Sequence, residues 1–378
     1  MNSISSEALA GQCLILGFDG AQLDRPTADA LSDIRPAGVI LFARNIQARP
    51  QVQELMQSLH EICAPRLVCV DQEGGRVDRL RAVFPLFPSA ERLELAGQQR
   101  LLKDYGRLTG QILNAFGFNV NFAPVLDLRY HDEDNALGTR YLGRDPMRVS
   151  ESAREYLRGL QGNGITGCGK HFPGLGRAQL DSHFRLPEIN ASCEELWGED
   201  LIPYRRLGDQ LKMVMVSHAA YPRLRGNKRA VCEADRSDNS PPAPAAETRG
   251  STSTKTIPAS CDAEIYRILR DDIDFKGIAL TDDLDMRAVH ESMPAEKIPI
   301  CCLEAGADFL VVGKNLDFAQ LCRDQLATLF GDPSWREQVR ARAKKLAPIP
   351  AVPQTDLEKI AELEEAFKEW KNQAGLTD

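Results

Sequence analysis

Long hydrophobic runs are absent from this 378-residue chain. No apolar stretch approaches the ~20 residues that a membrane-spanning helix needs, so the sequence predicts no membrane span. The first 18 residues, MNSISSEALAGQCLILGF, contain no lysine or arginine, and their apolar run is too short for the core of a signal peptide. We therefore expect a cytoplasmic protein.

Paired cysteine motifs are absent as well. The ten cysteines include no C-x-x-C pair, so the sequence predicts neither a zinc site nor a redox motif. We expect no metal and no cofactor. Several cysteines lie inside apolar runs, where a free thiol behaves as a small hydrophobic side chain: Cys13, Cys69, Cys168, Cys301 and Cys302.

The chain also lacks an excess of positive charge. Its formal net charge of -8 argues against nucleic acid or an anionic membrane as the main partner. With 43% hydrophobic and 26% charged residues, the composition is that of a globular protein with a sizeable core. We expect no nucleic-acid and no membrane partner, and a monomer.

Eight short apolar runs recur along the chain. They are too short for buried helices, and continuous apolar runs are typical of parallel strands buried on both faces. The predicted strands are 13–18, 37–42, 66–71, 118–123, 166–171, 211–218, 277–282 and 307–312. Amphipathic segments such as 49–63 and 145–164 lie between most of them. This alternation predicts an α/β fold, a single (β/α)8 TIM-type barrel, with an open doubly wound sheet as the alternative.

Two segments stand apart from this alternation. Residues 225–256 are rich in Pro, Ala, Ser and Thr, and we expect a flexible insertion after the sixth strand. Residues 355–375 predict a charged helix with Leu357, Ile360, Leu363 and Phe367 near one face. We therefore expect a catalytic barrel over residues 1–350 and a C-terminal helical tail, 351–378, packed on the barrel.

Polar side chains gather at the carboxyl-terminal ends of the predicted strands. In a (β/α)8 barrel these ends form one rim, and the rim holds the active site. The residues are Asp71, Asp127, Lys170, His171, His218, Asp282 and Asp283 at strand ends, with Arg44, Asn45 and Arg140 in rim loops. One aspartate after a strand is usually a helix cap, but this many polar residues together predict a site for a hydroxyl-rich molecule.

Six motifs occur in order along the chain. They are VDQEGGRVDRL (70–80), NFAPVLDL (121–128), LGTRYLGRDP (137–146), GKHFPGLG (169–176), DSH (181–183) and LTDDLDM (280–286). Together they resemble the bacterial β-N-acetylhexosaminidases of glycoside hydrolase family 3, over about residues 10–345 apart from the insertion. The resemblance implies a (β/α)8 barrel that hydrolyses terminal β-linked N-acetylglucosamine with retention of configuration. It also implies a role in recycling cell-wall muropeptides in the cytoplasm.

The resemblance assigns roles where the motifs match. Asp282 is the implied nucleophile, His183 the implied acid/base and Asp181 its partner, while a turn shifted by one residue would make Asp283 the nucleophile. The implied sugar contacts are Asp71, Arg79, Arg140, Lys170 and His171. Retaining hydrolysis needs a nucleophile and a proton donor. A histidine can supply that proton because its ordinary pKa of ~6.5 lies near neutral pH.

This chain departs from the family pattern in its loops. Leu175 replaces the second histidine of K-H-F-P-G-H-G, so we expect that histidine to be dispensable for the chemistry. Asp285 stands where a small residue is usual, and we expect it to alter the local charge. Gly174 and Gly176 are expected to let their loop move. The insertion is the largest departure.

Some roles remain open at the level of sequence. We expect His218 to be a satisfied rim histidine without sugar contact, and Asp127 to hold Lys170 or a turn. Alternative functions are β-glucosidase or phosphorolytic activity on the same barrel, a Schiff-base lyase using Lys170, and a catalytically silent sugar-binding protein. The DSH loop has no evident role in a lyase, and the intact Asp282 and His183 argue against a silent protein.

Overall fold

The computed structural model describes residues 5–97, 99–131, 137–178, 186–224 and 257–376. Its eight parallel strands close into one barrel in chain order, with the last strand paired to the first. The strands are β1 (Leu14–Leu16), β2 (Gly38–Leu41), β3 (Leu67–Val70), β4 (Val120–Asn121), β5 (Thr166–Phe172), β6 (Met213–Val216), β7 (Ile278–Asp283) and β8 (Phe309–Val312). Each overlaps its predicted apolar run, and the predicted (β/α)8 barrel is confirmed over the open sheet.

Helices surround the barrel, and they lie before, between and after the strands. In the described residues they are α1 (Ser6–Gly11), α2 (Arg25–Ile34), α3 (Arg49–Ile62), α4 (Ala90–Leu95), α5 (Gln99–Ala115), α6 (Pro146–Gln161), α7 (Cys193–Gly198), α8 (Ile202–Leu207), α9 (Ala263–Arg267), α10 (Arg287–Ser292), α11 (Ile298–Ala305), α12 (Leu316–Leu329), α13 (Pro333–Lys344) and α14 (Leu357–Gln373). Several of these helices start with a side-chain cap. Asp145, for example, accepts a hydrogen bond from the amide of Arg148 at 2.9 Å, and Pro146 opens α6.

Side chains along each strand alternate between the barrel interior and the surrounding helices. In β3, Leu67 and Cys69 belong to the interior cluster, whereas Val68 and Val70 pack with the outer layer. In β7, Ile278 and Leu280 face inward. Because this period is two residues, every second residue beyond these positions continues the inward-facing series towards the rim.

The last helix covers part of the outer layer. The buried Phe367 of α14 has its ring centroid 4.7 Å from that of Phe87, and Trp370 stacks on Tyr105 at 5.7 Å. The predicted insertion, 225–256, lies outside the described residues, and the division of the chain at residue 350 stays a prediction. Among the residues that the structure describes, no helix is both long and apolar enough to span a membrane.

Candidate active site

Three charged residues continue the inward-facing series at the rim. Asp71 follows Leu67 and Cys69, Lys170 follows Cys168, and Asp282 follows Ile278 and Leu280, each at an interval of two. β5 and β7 are irregular at their ends, but the contact of Lys170 with Asp71 and the electrostatic interaction of Lys170 with Asp282 agree with this inward placement. This is the arrangement expected when a packed barrel core gives way to a site at its carboxyl-terminal face.

Lys170 is the most buried cation of this rim cluster. Its side chain is 2% exposed, and its Nζ lies 2.6 Å from Asp71 Oδ1 and 2.6 Å from Glu73 Oε1. Burial on its own would lower the pKa of Lys170, but the charges of Asp71 and Glu73 outweigh burial and raise the pKa. Lys170 is therefore a fixed ammonium ion that can donate hydrogen bonds to a ligand.

Glu73 links Lys170 and Arg140, two of the predicted sugar-binding residues, and the sequence analysis did not identify it. Besides Lys170, its carboxylate binds Arg140 with two hydrogen bonds, Nε to Oε2 at 2.6 Å and Nη2 to Oε1 at 2.8 Å. Burial opposes ionisation of Glu73, yet the Lys170 and Arg140 charges lower its pKa to about 2. Its place two residues after Asp71 in VDQEGG was the available signal.

His171 is held between a carboxylate and a guanidinium. Its Nδ1 lies 2.7 Å from Asp127 Oδ2, and its Nε2 lies 3.3 Å from Arg140 Nη2. Asp127 also accepts a hydrogen bond from the amide of Leu175 at 2.6 Å. Asp127 thus holds a turn, as expected, but its other partner is His171 rather than Lys170.

Arg79 completes the predicted set of sugar contacts. One of its terminal nitrogens, Nη2, lies 3.8 Å from Asp71 Oδ2, and its guanidinium carbon lies 5.5 Å from the centre of the Phe42 ring. Its buried Nε has no hydrogen-bond partner among the described residues. The structure therefore brings Asp71, Arg79, Arg140, Lys170 and His171 into one charged network.

Asp282 and Asp283 occupy different environments although they are adjacent. Within the described residues, Asp282 accepts a single hydrogen bond, through Oδ1 from the amide of Asp283 at 2.8 Å. Burial opposes its ionisation, but His171, His218 and the amide of Asp283 outweigh burial and lower its pKa. Asp282 is thus an ionised carboxylate, and its Oδ2 has no hydrogen bond within the described residues.

Asp283 is instead part of the backbone support of the rim. Its Oδ1 accepts from the amides of Gly313 at 2.8 Å and Asp285 at 2.9 Å. A Cβ at Gly313 would lie only 2.1 Å from Asp283 Oδ2, so the end of β8 packs directly against this carboxylate. Burial raises the pKa of Asp283 to about 6. These contacts favour Asp282 over Asp283 as a nucleophile.

Asp285 connects the loop after β7 to the start of α12. Its Oδ2 accepts from the amides of Lys314 at 2.7 Å and Asn315 at 2.9 Å, directly before α12. We expected a change in local charge from this departure. The structure shows in addition a connection between the loop after Asp282 and the end of β8.

His218 lies beside Asp282 with both ring nitrogens engaged. Its Nδ1 lies 2.8 Å from Ser260 Oγ, and its Nε2 lies 3.0 Å from the carbonyl oxygen of Asp283. Burial lowers the pKa of His218, against the opposing effect of the Asp282 charge. We expected His218 to be a rim histidine whose ring is hydrogen-bonded within the protein. These two contacts agree with that expectation.

The glycines after Pro173 lie in close contacts, and the mobility expected of their loop stays a prediction. A Cβ at Gly176 would lie 1.9 Å from the carbonyl oxygen of Leu128, and one at Gly174 would lie 2.7 Å from the Cβ of Asp200. Both glycines therefore permit close packing of the loop stem. The predicted acid/base pair, Asp181 and His183, lies outside the described residues, and its role stays a prediction.

The chain resembles known proteins over most of its length. Residues 10–329 match the family described as glycosyl hydrolase family 3 N terminal domain. The chain is 33% identical to a β-hexosaminidase of Pseudomonas aeruginosa over 335 residues, 88% of this chain and 92% of that protein. Its fold is similar to a glycoside hydrolase family 3 β-N-acetylglucosaminidase from Paenibacillus sp., with a TM-score of 0.79 at 26% identity over 97% of this chain and 69% of that one.

A further solved structure is similar along almost its whole length. It is NagZ from Neisseria gonorrhoeae in complex with N-trifluoroacetyl-D-glucosamine, with a TM-score of 0.72 at 26% identity over 97% of this chain and 98% of that one. The family match at 10–329 contains all eight strands and the rim residues described above.

Proposed function

The chain belongs to glycosyl hydrolase family 3, and from this membership we propose a retaining β-hexosaminidase that releases terminal β-linked N-acetylglucosamine. The observation that carries the proposal is the Asp282 carboxylate, which has one oxygen without a hydrogen bond in the described residues and interacts electrostatically with Lys170, the partner of Asp71. The names of the similar Pseudomonas and Paenibacillus proteins agree with this activity.

The proposed reaction has two steps through a covalent intermediate. In the first, Asp282 attacks the anomeric carbon, the bond to the leaving oxygen breaks, and His183 donates a proton to that oxygen. In the second, water attacks the same carbon, His183 accepts a proton from the water, and the bond to Asp282 breaks. Asp181 would orient the ring of His183 and stabilise its charged form.

The described histidines support a proton donor from another loop. His218 hydrogen-bonds to Ser260 and to the backbone of Asp283, and the ring of His171 contacts Asp127 and Arg140. Neither ring has a free N–H for a leaving group. The family resemblance assigns the general acid to the DSH motif, in which His183 is our candidate.

The rim cations supply hydrogen bonds to the sugar. Lys170 and Arg140 are fixed by carboxylates before any ligand arrives, so they lose little side-chain freedom on binding. Asp71 can accept a hydrogen bond from a hydroxyl while Lys170 and Arg140 donate. This mixture suits a hydroxyl-rich ligand.

A Schiff-base lyase fits the rim poorly. Such an enzyme needs a neutral amine as its nucleophile. Lys170 lies 2.6 Å from each of two carboxylates, and these charges raise its pKa. Its ammonium form is therefore stabilised, which is the opposite of what that chemistry requires.

We extend the proposal to the biological role that the family resemblance implies. The substrates would be N-acetylglucosaminides from cell-wall muropeptides, and the enzyme would act as a cytoplasmic monomer. Release of N-acetylglucosamine from isolated muropeptides, together with a monomer mass in solution scattering, is the expected result. A dimer mass would contradict the proposed monomer, and no release of N-acetylglucosamine from muropeptides would contradict the proposed substrate.

Turnover of nitrophenyl N-acetyl-β-glucosaminide tests the activity directly. We expect hydrolysis by the wild type and a loss of at least about 1,000-fold in Asp282→Asn. Asp283→Asn is the matched control, because one amide oxygen can still accept from both Gly313 and Asp285. We expect this control to lose far less activity.

The alternative activities are separated in the same assay. Faster turnover of the corresponding β-glucoside would indicate a β-glucosidase, and a sugar phosphate formed in phosphate buffer would indicate phosphorolysis. No turnover of either glycoside by folded protein would contradict the proposed hydrolase.

A further inference from the structure

We propose that Asp127 is a positioning residue that holds His171 as the neutral tautomer protonated at Nδ1, leaving Nε2 as a hydrogen-bond acceptor at the rim. The inference rests on the proposed function for its consequence in catalysis, but its structural content can be measured without any substrate. It gives Asp127 a role that the sequence did not assign.

The contact with Asp127 places one proton on the ring. Asp127 Oδ2 lies 2.7 Å from Nδ1, and Asp127 is 1% exposed. An ionised carboxylate can only accept hydrogen bonds. Nδ1 must therefore be the donor, and it carries a proton.

The contact with Arg140 removes the proton from the other nitrogen. Arg140 Nη2 lies 3.3 Å from His171 Nε2, and a guanidinium can only donate. Nε2 must therefore offer a lone pair. Arg140 cannot easily turn away, because its Nε and Nη2 both bind Glu73, at 2.6 and 2.8 Å. A proton on Nε2 would point at a fixed cation.

Other charged groups surround this ring. Lys170 precedes it in β5, Asp282 approaches from β7 and His218 from β6. Asp282 favours a positive ring, whereas Arg140 and Lys170 disfavour one. The two direct ring contacts, with Asp127 and Arg140, select the neutral tautomer protonated at Nδ1.

Three donors point at the Asp127 side chain, and only a side chain with two acceptor oxygens can accept all three hydrogen bonds. Its Oδ2 accepts from the Nδ1 of His171 and also from the backbone amide of His171 at 3.2 Å, and its Oδ1 accepts from the amide of Leu175 at 2.6 Å. An asparagine would turn its NH2 towards one of these donors. If that NH2 faced His171, the ring could keep the contact only by accepting at Nδ1, which moves the proton to Nε2 and towards Arg140.

The consequence concerns how the sugar is held. With Nε2 as an acceptor, His171 would take a hydrogen bond from a substrate hydroxyl and would not protonate the leaving group. The rim then offers acceptors, Asp71 and His171, beside donors, Lys170 and Arg140. That alternation matches a hydroxyl, which both donates and accepts.

The test is two-bond proton–nitrogen NMR of protein labelled with 15N-histidine, which reports which ring nitrogen carries the proton. The His171 signal is identified by its loss in His171→Gln. We expect a protonated Nδ1 and an unprotonated Nε2. A proton on Nε2, or a doubly protonated ring, would overturn the proposal.

Variants of Asp127 test its part in this arrangement. Asp127→Asn should shift His171 towards the tautomer protonated at Nε2 and reduce kcat/KM by about 10- to 100-fold, the range expected for a buried donor left without its acceptor. Asp127→Glu keeps a carboxylate and should retain the Nδ1 proton. An unchanged tautomer in Asp127→Asn would refute the role of Asp127. If the wild type shows the expected tautomer but does not hydrolyse the chromogenic substrate, only the proposed function fails.

Discussion

Replacing Glu73 by glutamine tests the charged network at the rim. The change removes one negative charge but keeps the shape of the side chain, so Lys170 retains only Asp71 and Arg140 loses its carboxylate partner. All of these groups are largely buried, with Glu73 5% and Lys170 2% exposed. Removing one member of a buried ion pair typically costs about 3–5 kcal/mol.

A second estimate comes from the proton equilibrium of Glu73. The Lys170 and Arg140 charges, acting against burial, lower its pKa from 4.5 to about 2. At about 1.4 kcal/mol per pKa unit, this corresponds to roughly 3 kcal/mol at neutral pH, in line with the first estimate. Because the folded-state pKa is depressed, this stabilisation is present above about pH 4.5 and is lost as the pH falls through about 2.

The assay is thermal unfolding of the wild type and Glu73→Gln by circular dichroism at several pH values. With an unfolding entropy of about 2.1 cal/mol/K per residue, a 378-residue chain gives a decrease in Tm of about 4–6 °C at pH 7. The difference should shrink as the pH is lowered below about 4.5. Glu54→Gln, at an exposed position on α3, is the control and should leave Tm unchanged. A difference that stays constant with pH, or no difference at pH 7, would refute the reasoning.

Three other predictions address the nucleophile support, the proton donor and the last helix. Gly313→Ala would place a Cβ 2.1 Å from Asp283 Oδ2. It should lower the stability in thermal unfolding by about 1–3 kcal/mol and remove most of the activity. The control Gly198→Ala, whose Cβ would have no atom within 4 Å, should change neither the stability nor the activity. His183→Ala should slow substrates with poor leaving groups far more than those with good ones, and equal losses would count against it as the acid. Phe367→Ala should destabilise the protein by about 3–5 kcal/mol in denaturant unfolding, and a change below about 1 kcal/mol would show that α14 contributes little.

The barrel was predictable because each strand is a continuous apolar run between polar loops. That signal is local, and it placed Asp71, Lys170 and Asp282 at strand ends without further information. The structure adds which side chains face inward, as Leu67 and Cys69 do below Asp71. Strand length was less predictable, since β4 is only Val120–Asn121 within a longer apolar run.

The hydrogen-bond partners of the rim residues were harder to predict than the residues that lie at the rim. Asp127 binds His171, 44 positions later in the chain, and no local pattern indicates that choice over Lys170. Glu73 was missed because a glutamate in a turn beside two glycines is usually solvated, and its buried partners, Arg140 and Lys170, come from distant parts of the chain. The close packing of Gly176 against Leu128 is likewise a long-range contact.

A covalent trapping experiment tests the central claim, that Asp282 is the nucleophile, most directly. The protein is incubated with a slowly hydrolysed fluorosugar, and the modified peptide is identified by mass spectrometry. The account predicts one added sugar on the peptide that contains Asp282, retained in Asp283→Asn and absent in Asp282→Asn. A label on Asp283, or strong inhibition by a thiazoline mimic of the acetamido intermediate with no label on any carboxylate, would contradict it.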